Sequence, residues 1–176
     1  MSNQEGNRIN PYSFDDYLLV RNSFNFYRDD EFLQALVKKY VGDEFKTLDA
    51  ELRVLSDKIS YEWRDLADEA TRLENRMKCT VVRHYDAHNH RIDRIKRAIE
   101  TEKLERAIFQ LGLFDPERNT AWGRFAKMFL LYELGEIGVM CPVACTHGMV
   151  WLMQKYENEL VSEAHEILMS IRNGNG

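Results

Sequence analysis

The chain has 176 residues, of which 44% are hydrophobic and 30% charged, and its formal net charge is −5. A chain of this length forms one domain, and its acidic balance argues against a dominant nucleic-acid surface, which is normally basic. The first ten residues lack the apolar core of a signal peptide. Three cysteines without paired spacing are typical of a reducing, cytoplasmic setting.

The N terminus is predicted to be a leader and docking segment over residues 1–25, followed by a helical domain over 26–172 and a tail over 173–176. The leader itself is polar and has the composition of a flexible segment. The apolar side chains that are expected to dock on a core are Phe14, Tyr17, Leu18 and Leu19.

The first two helices of the domain are predicted from capping residues and apolar periodicity. Asp29 or Asp30 can cap a helix, which Gly42 ends in the usual C-terminal position. Its predicted inward face consists of Phe32, Leu33, Leu36, Val37 and Tyr40. A longer helix is predicted over 43–77, since apolar residues recur at steps of three and four on one face. This apolar stripe consists of Phe45, Leu48, Leu52, Leu55, Ile59, Trp63, Leu66, Ala70, Leu73 and Met77.

The middle of the chain is predicted to connect two helices without forming strands. The stretch CTVVRHYDAHN, residues 79–89, breaks the helical pattern and is interpreted as a connecting segment, and no β-hairpin signal is recognised. The next helix is predicted from about His90 to Leu111. Its inward residues are expected to be Ile92, Ile95, Ile99, Leu104, Ala107, Ile108 and Leu111.

Two further helical regions complete the predicted fold. Thr120 caps a helix whose inward residues are expected to be Trp122, Phe125, Met128, Phe129 and Leu131 or Leu134. The last helix is predicted to bury Tyr156, Leu160, Val161, Ala164, Ile167, Leu168 and Ile171. Together the elements predict an all-α fold, an orthogonal bundle of about five to six helices.

The segment between these two regions is unusual. YELGEIGVMCPVACTHGMVWL, residues 132–152, is apolar but contains Gly135, Gly138, Pro142 and Gly148. Its uncharged part is shorter than the roughly 20 apolar residues of a membrane span. A proline inside a helix costs about 3 kcal/mol, so we expect it to kink the helix or to start a new one. Either a turn between two core helices or a cavity for the apolar tail of a ligand explains the small residues.

Two polar groups lie in the middle of the chain. His84, His88 and His90 include a pair at i, i+4 spacing, which would bind a metal ion on a helix. A polar surface cluster is the preferred interpretation, because no acidic or cysteine ligand is fixed beside them. The basic run from Arg91 to Arg97 is interpreted as a solvated helix face rather than a phosphate-binding patch.

Cys141, Cys145 and His147 form a third candidate group. Their spacing matches neither a zinc knuckle nor a thioredoxin-type motif. The preferred interpretation is that the two cysteines are buried and behave as small hydrophobic residues.

The segment FLLYELGEIGVMCPVACTHGMV, Phe129 to Val150, resembles a helix pair in the N-terminal α-helical domain of the acyl-CoA dehydrogenase superfamily. It is most similar to the alkylation-response, AidB-type branch, in which a glycine-containing turn precedes a helix that starts with Cys-Pro, small residues and Thr. The matching residues here run from Cys141 to His147. The stretch Val81 to Ile95 resembles that branch's stretch of valine, histidine and aromatic residues before a helix.

The resemblance implies a FAD-dependent oxidoreductase that removes hydrogens across the α,β bond of an acyl-CoA. It also implies that this chain is the N-terminal helical domain of a longer protein, which usually assembles as a homo-oligomer. The pocket wall for the acyl chain and flavin is then implied at Cys141, Pro142, Thr146 and His147. No catalytic residue is assigned, and neither FAD nor activity is expected on this chain alone. No membrane or nucleic-acid partner is expected for this segment.

A non-catalytic helical protein-interaction module is the alternative function. The apolar stripe between Phe45 and Met77 would suit a partner helix. No complete active site is recognised in the sequence, which is consistent with this alternative as well as with one domain of a larger enzyme.

Overall fold

Helices dominate the architecture, seen in a computed structural model that describes residues 12–72 and 81–175. The helices are α1 (Asp15–Ser23), α2 (Glu31–Val41), α3 (Phe45–Asp57), α4 (Arg64–Thr71), α5 (Ile99–Phe109), α6 (Ala121–Tyr132), α7 (Ile137–Lys155) and α8 (Ser162–Arg172). An antiparallel hairpin of β1 (Val81–Tyr85) and β2 (Arg91–Lys96) lies between α4 and α5. Short 3-10 turns occur at Gly42–Glu44 and Glu157–Glu159, and a π-helical turn at Lys58–Trp63. The predicted all-α class is confirmed, with the hairpin as an addition.

The predicted capping residues begin and end their helices as expected. The Asp30 carboxylate accepts a hydrogen bond of 2.8 Å from the Leu33 backbone N–H at the start of α2. The Thr120 hydroxyl accepts one of 3.1 Å from the Gly123 N–H at the start of α6. Gly42 ends α2 at a φ of 68°, a left-handed conformation that glycine adopts at little cost.

The predicted long helix is continuous over its described part, in which α3 passes through the π-helical turn into α4. The predicted positions 73–77 lie outside the described residues. The apolar stripe is internal, since α3 packs against α2 and α6, and α4 packs against α5. Its buried members are Leu48, Leu52, Leu55, Ile59, Trp63 and Ala70. The stripe therefore has its partners within the chain, which removes the reason for an external partner helix.

The core is shared by most of the elements, because α5 also packs against α7, and α7 against α8. Its largest fully buried side chains include Tyr27, Leu52, Ile59, Leu104, Ile108, Leu113, Phe114, Leu130, Leu131 and Leu168. Of the residues predicted inward on the last helix, Leu168 and Ile171 are buried, whereas Tyr156, Val161 and Ile167 are exposed, contrary to the prediction. In α2, Leu33 and Val37 are buried and Phe32 and Tyr40 are not.

The first helix is held by polar contacts and buries none of its residues. The guanidinium of Arg64, itself buried, donates to the backbone carbonyls of Arg21 and, at 3.3 Å, Asn22 at the end of α1. Arg21 also donates two hydrogen bonds of 2.7 Å to the carboxylate of Asp68. The expectation that its apolar side chains dock on the core is wrong, since Phe14, Tyr17, Leu18 and Leu19 are exposed.

One carboxylate makes the stability of the fold sensitive to acid. Asp49 accepts hydrogen bonds of 2.8 Å from both the Arg53 guanidinium and the buried Tyr27 hydroxyl, and the Arg53 contact holds its pKa below the ordinary value. The free energy by which ionised Asp49 stabilises the fold is fully present above the unfolded-state pKa of about 3.9. It is lost as the pH falls through the lower folded-state pKa. We expect Asp49→Asn to lower the free energy of unfolding by about 1–2 kcal/mol at pH 7 and by less at pH 3, as measured by urea denaturation. An equal loss at both pH values would contradict the role of the charge.

The hairpin contradicts the predicted connecting segment over residues 81–89, while Cys79 and Thr80 lie outside the described residues. Val82 pairs with Ile95 and Arg83 with Arg94, and the register shifts between Arg83 and Tyr85. The turn is built by Asp86, whose carboxylate accepts hydrogen bonds of 2.8 and 2.9 Å from the backbone N–H groups of His88 and His90. Asn89 completes it at a φ of 64°, a conformation that asparagine tolerates.

The helix predicted from His90 begins only at Ile99, so its first part is wrong. Residues 91–96 form β2, and every one of them is exposed. Ile92 and Ile95 were expected to face inward, but they lie on the exposed ribbon, and Ile99 is exposed as well. Leu104 and Ile108 are fully buried as predicted.

Each glycine of the segment 132–152 is explained by a different feature of the structure. Gly135 makes the turn between α6 and α7 at a φ of 69°. Glu136 caps α7 by accepting a 2.6 Å hydrogen bond from the Val139 N–H, and a Cβ on Gly138 would lie 2.9 Å from that carboxylate. Gly148 has no atom within 4 Å of the position that a Cβ would take, so it borders open space.

Pro142 does not start a new helix, since it lies inside α7, so that alternative is wrong, and the kink at the proline stays a prediction. The break in the chain falls at Gly135, where the positive φ ends the path of α6. Proline removes one backbone hydrogen bond, and the remaining bonds and the burial of Val139, Met140 and Val143 hold the helix on either side of it.

Candidate pocket wall between two helices

An apolar groove of about 620 Å³ runs between α6 and α7. On α6 the lining residues recur at helical spacing, so they share one face of that helix. Two of the aromatic rings in the groove are largely accessible, with Phe125 63% and Trp151 59% exposed. The groove is lined by Ala121, Arg124, Phe125, Met128, Phe129, Tyr132, His147, Gly148 and Trp151.

The prediction that the aromatic residues of α6 face the core is wrong. Trp122, Phe125 and Phe129 are exposed, and the buried residues of α6 are Gly123, Ala126, Met128, Leu130 and Leu131. Because α6 has few polar residues on any side, its apolar pattern does not distinguish the buried face from the groove face. The high share of aromatic residues in α6 is the signal that the groove leaves in the sequence.

Of the predicted wall residues, the structure brings His147 to the groove. Pro142 and Thr146 are half-buried on α7, and Cys141 is exposed. None of these three is among the residues that line the groove. The expectation that Cys141 and Cys145 are buried is wrong, since both thiols are exposed.

Gly148 lines the groove, although it was not among the predicted wall residues. Its missing side chain leaves the space between His147 and Trp151 open. The glycine lies well inside α7, where it costs about 1 kcal/mol relative to alanine. An interior glycine without a neighbouring atom to accommodate is a signal for a groove rather than for close packing.

His147 is held against the core by an aromatic contact. Its ring stacks on Phe114 with centroids 6.2 Å apart and planes at 26°. Partial burial, and then the positive charge of Arg124, lower the pKa of the imidazole from its ordinary value. At neutral pH the groove therefore carries a neutral imidazole beside one guanidinium.

We expect an NMR titration of the imidazole C–H signals to give His147 a pKa below the ordinary value of about 6.5. Arg124→Gln removes one of the two causes, so the pKa should rise part of the way, and burial should keep it below that value. A group whose folded-state pKa is lowered destabilises the fold as the pH falls below the unfolded-state pKa. A His147 pKa at or above 6.5, which is about the ordinary value, would contradict the described burial.

The three histidines near the middle of the chain lie on the hairpin and not on a helix. The ring of His84 lies 2.8 Å from Asp93, and that of His90 lies 3.1 Å from Asp86. These are two separate exposed pairs, so the i, i+4 argument for a metal site does not apply. Within residues 12–72 and 81–175, no group of three or more His, Cys, Asp or Glu residues is placed to hold a metal ion.

Over the same described ranges, no helix combines the length and the apolar character that crossing a membrane requires. This includes α7, in which Pro142, Thr146, His147 and Gly148 interrupt the apolar run.

Comparison with known proteins shows the family to which the chain belongs. The family model of the adaptive response protein AidB N-terminal domain matches residues 20–172. No curated protein and no solved structure matches the chain. The match runs from the last residues of α1 through α8, including the hairpin and both walls of the groove. It confirms the resemblance to the AidB-type branch of the acyl-CoA dehydrogenase superfamily, and the chain belongs to the AidB N-terminal domain family.

Proposed function

We propose that this domain forms one wall of the acyl and flavin pocket in a FAD-dependent protein of the acyl-CoA dehydrogenase type. The observation that carries the proposal is the groove between α6 and α7, which is apolar, accessible and kept open at Gly148. Ligand pockets in proteins are typically concave and mostly apolar, with a few polar groups that orient the ligand. The groove has this composition.

The residues of the groove fit an acyl chain or a flat ring better than a pyrophosphate. Phe125, Phe129, Tyr132 and Trp151 offer aromatic surfaces, on which methylene chains and flat rings pack well. Arg124 is the one permanently charged residue of the lining, and no glycine-rich phosphate loop is present in the sequence. FAD, when bound, supplies the ring that accepts hydride from the substrate. The part of this chain is to exclude water and to orient the apolar ligand.

The site proposal names residues of both helices. We assign the wall to the groove residues, with His147 as the member that the sequence analysis also proposed. Cys141, Pro142 and Thr146 stay proposed members on the same helix, although the groove does not include them. The wider proposal includes acyl-CoA as a partner, homo-oligomeric assembly of the complete protein, a cytoplasmic location, and residues 26–172 as the domain.

The proposal is tested with the full-length gene product that contains this domain. We expect it to purify with a yellow flavin, and an acyl-CoA substrate to bleach the flavin absorbance as hydride is transferred. Acyl-CoA binding should also change the fluorescence of Trp151, and Trp151→Phe should remove that change. A folded full-length protein that stays colourless after incubation with FAD would contradict the proposal.

A further inference from the structure

Two cysteines of α7 share one exposed face of that helix. Cys141 and Cys145 are four residues apart, so they lie on the same side, and both thiols are exposed. The opposite side of the helix carries the fully buried residues Val139, Val143 and Val150. The groove between α6 and α7 is lined by neither cysteine, so the groove does not account for the pair.

The spacing of the two thiols suits a bridging metal ion better than a disulfide. Residues four apart on a helix have Cβ atoms about 5–6 Å apart, whereas a disulfide requires Cβ atoms about 3.5–4.5 Å apart. A bound ion inserts two metal–sulfur bonds, each about 2.3 Å long for zinc, between the two cysteines. Such an ion therefore spans the longer separation while α7 keeps its helical geometry.

The number of ligands argues against zinc and against an iron–sulfur cluster at this position. Zinc takes three or four protein ligands, and iron–sulfur clusters are typically held by four cysteines. Among residues 12–72 and 81–175, no group of three or more His, Cys, Asp or Glu residues is placed to hold a metal ion. The ion that fits Cys141 and Cys145 is one that two thiolates can hold.

The softness of the ligands selects this ion. Thiolate and thioether sulfurs favour Cu(I), and two thiolates alone can hold Cu(I) in a linear arrangement. Met149 follows Cys145 by one turn of the helix and is 42% exposed, so it adds a thioether of the same soft class beside the pair.

We propose that Cys141 and Cys145 bind one Cu(I) ion through their two sulfurs. Each S–H bond is replaced by a copper–thiolate bond, and its proton goes to solvent. The oxidation states of copper and sulfur do not change, so the step needs no oxidant. Because protons compete with the ion for the sulfurs, the affinity for Cu(I) falls as the pH is lowered.

The proposal is tested with the reduced 176-residue chain in the absence of FAD, so its outcome does not depend on the flavin proposal. The chain is titrated anaerobically with Cu(I) in competition with bicinchoninate, a chelator that is coloured when it holds Cu(I). We expect one tightly bound Cu(I) per chain, an ultraviolet thiolate-to-copper absorption band, and weaker binding at lower pH.

Substitutions identify the ligands. Cys141→Ser and Cys145→Ser, each alone, should weaken Cu(I) binding by at least about a hundredfold, since losing an outer-shell partner of a ligand already costs about 10–100-fold. The matched control is the double variant Cys145→Ser with Thr146→Cys, which keeps the number of thiols but moves one of them about 100° around the helix. It should bind Cu(I) as weakly as Cys145→Ser, and Cys79→Ser should bind as tightly as the wild type. Circular dichroism verifies that every variant is folded.

Three results of the titration would overturn the proposal. They are a wild-type chain with no higher affinity for Cu(I) than Cys141→Ser, undiminished binding by the double variant, and loss of binding in Cys79→Ser. A disulfide between Cys141 and Cys145, found by mass spectrometry after mild oxidation with diamide, would contradict the spacing argument and would also overturn it.

Discussion

Replacing Gly148 by leucine is expected to weaken acyl-CoA binding to the flavin-loaded full-length protein by about tenfold or more. The leucine side chain would occupy the space between His147 and Trp151 that the glycine leaves open. The same substitution should stabilise α7 slightly, since leucine is a better helix former than glycine by up to about 1 kcal/mol. Titration of acyl-CoA followed by flavin absorbance gives the affinity, and thermal unfolding gives the stability.

Two further variants make this experiment specific. Gly148→Ala adds one methyl group to the groove and should show a smaller loss of affinity with a similar gain in helix stability. Ser170→Leu places the same leucine side chain at an exposed position of α8 outside the groove, and acyl-CoA affinity should not change. If Gly148→Leu is folded and binds acyl-CoA as tightly as the unsubstituted protein, the groove does not hold the ligand.

Replacing Leu104 by alanine is expected to lower the free energy of unfolding by about 3 kcal/mol. Leu104 is 0% exposed in the core, where α5 packs against α4 and α7, so its loss leaves a cavity. Ile99→Ala in the same helix should change the free energy by no more than about 0.5 kcal/mol, because Ile99 is 59% exposed. Urea denaturation of both variants measures the difference. Equal losses would indicate that α5 buries the face that the sequence predicted, with Ile99 inward.

The long helix and the caps could be predicted because single, strong signals determine them. The apolar stripe from Phe45 onward has one helical period over many turns, and Asp30 and Thr120 stand directly before apolar helices. The π-helical turn within the stripe could not be predicted, since it leaves the residues of the stripe on the same side of the chain. The family resemblance could be predicted from the residues around the turn at Gly135.

The hairpin was missed because its sequence satisfies two periods at once. Ile92, Ile95 and Ile99 follow helical steps of three and four, so they suggested the start of α5. The deciding signals were local, namely Asp86 and Asn89 at the turn and the β-branched residues of β1. In a helix, the four basic side chains over residues 91–97 would lie close together. In the hairpin, the residues of β2 instead pair with residues of β1 across the ribbon.

The candidate site was only partly predictable. The sequence indicated that the small residues near Gly135 and Gly148 serve either a turn or a cavity, and the structure contains both, at different glycines. Phe125 and Phe129 of the groove were predicted to face the core, because periodicity cannot separate a buried face from an accessible apolar face on a helix such as α6. Only the packing of α6 against α2 and α3 decides which side is buried.

Photocrosslinking can show whether the groove between α6 and α7 contacts the acyl ligand. The full-length protein would carry a photoreactive benzophenone side chain at position 125 in the groove, or at position 61 outside it as the control. We predict that radiolabelled acyl-CoA crosslinks at position 125 and not at position 61, and that excess unlabelled acyl-CoA prevents the reaction. A protein that binds FAD and acyl-CoA but gives no crosslink at position 125 would show that the acyl ligand lies outside the groove.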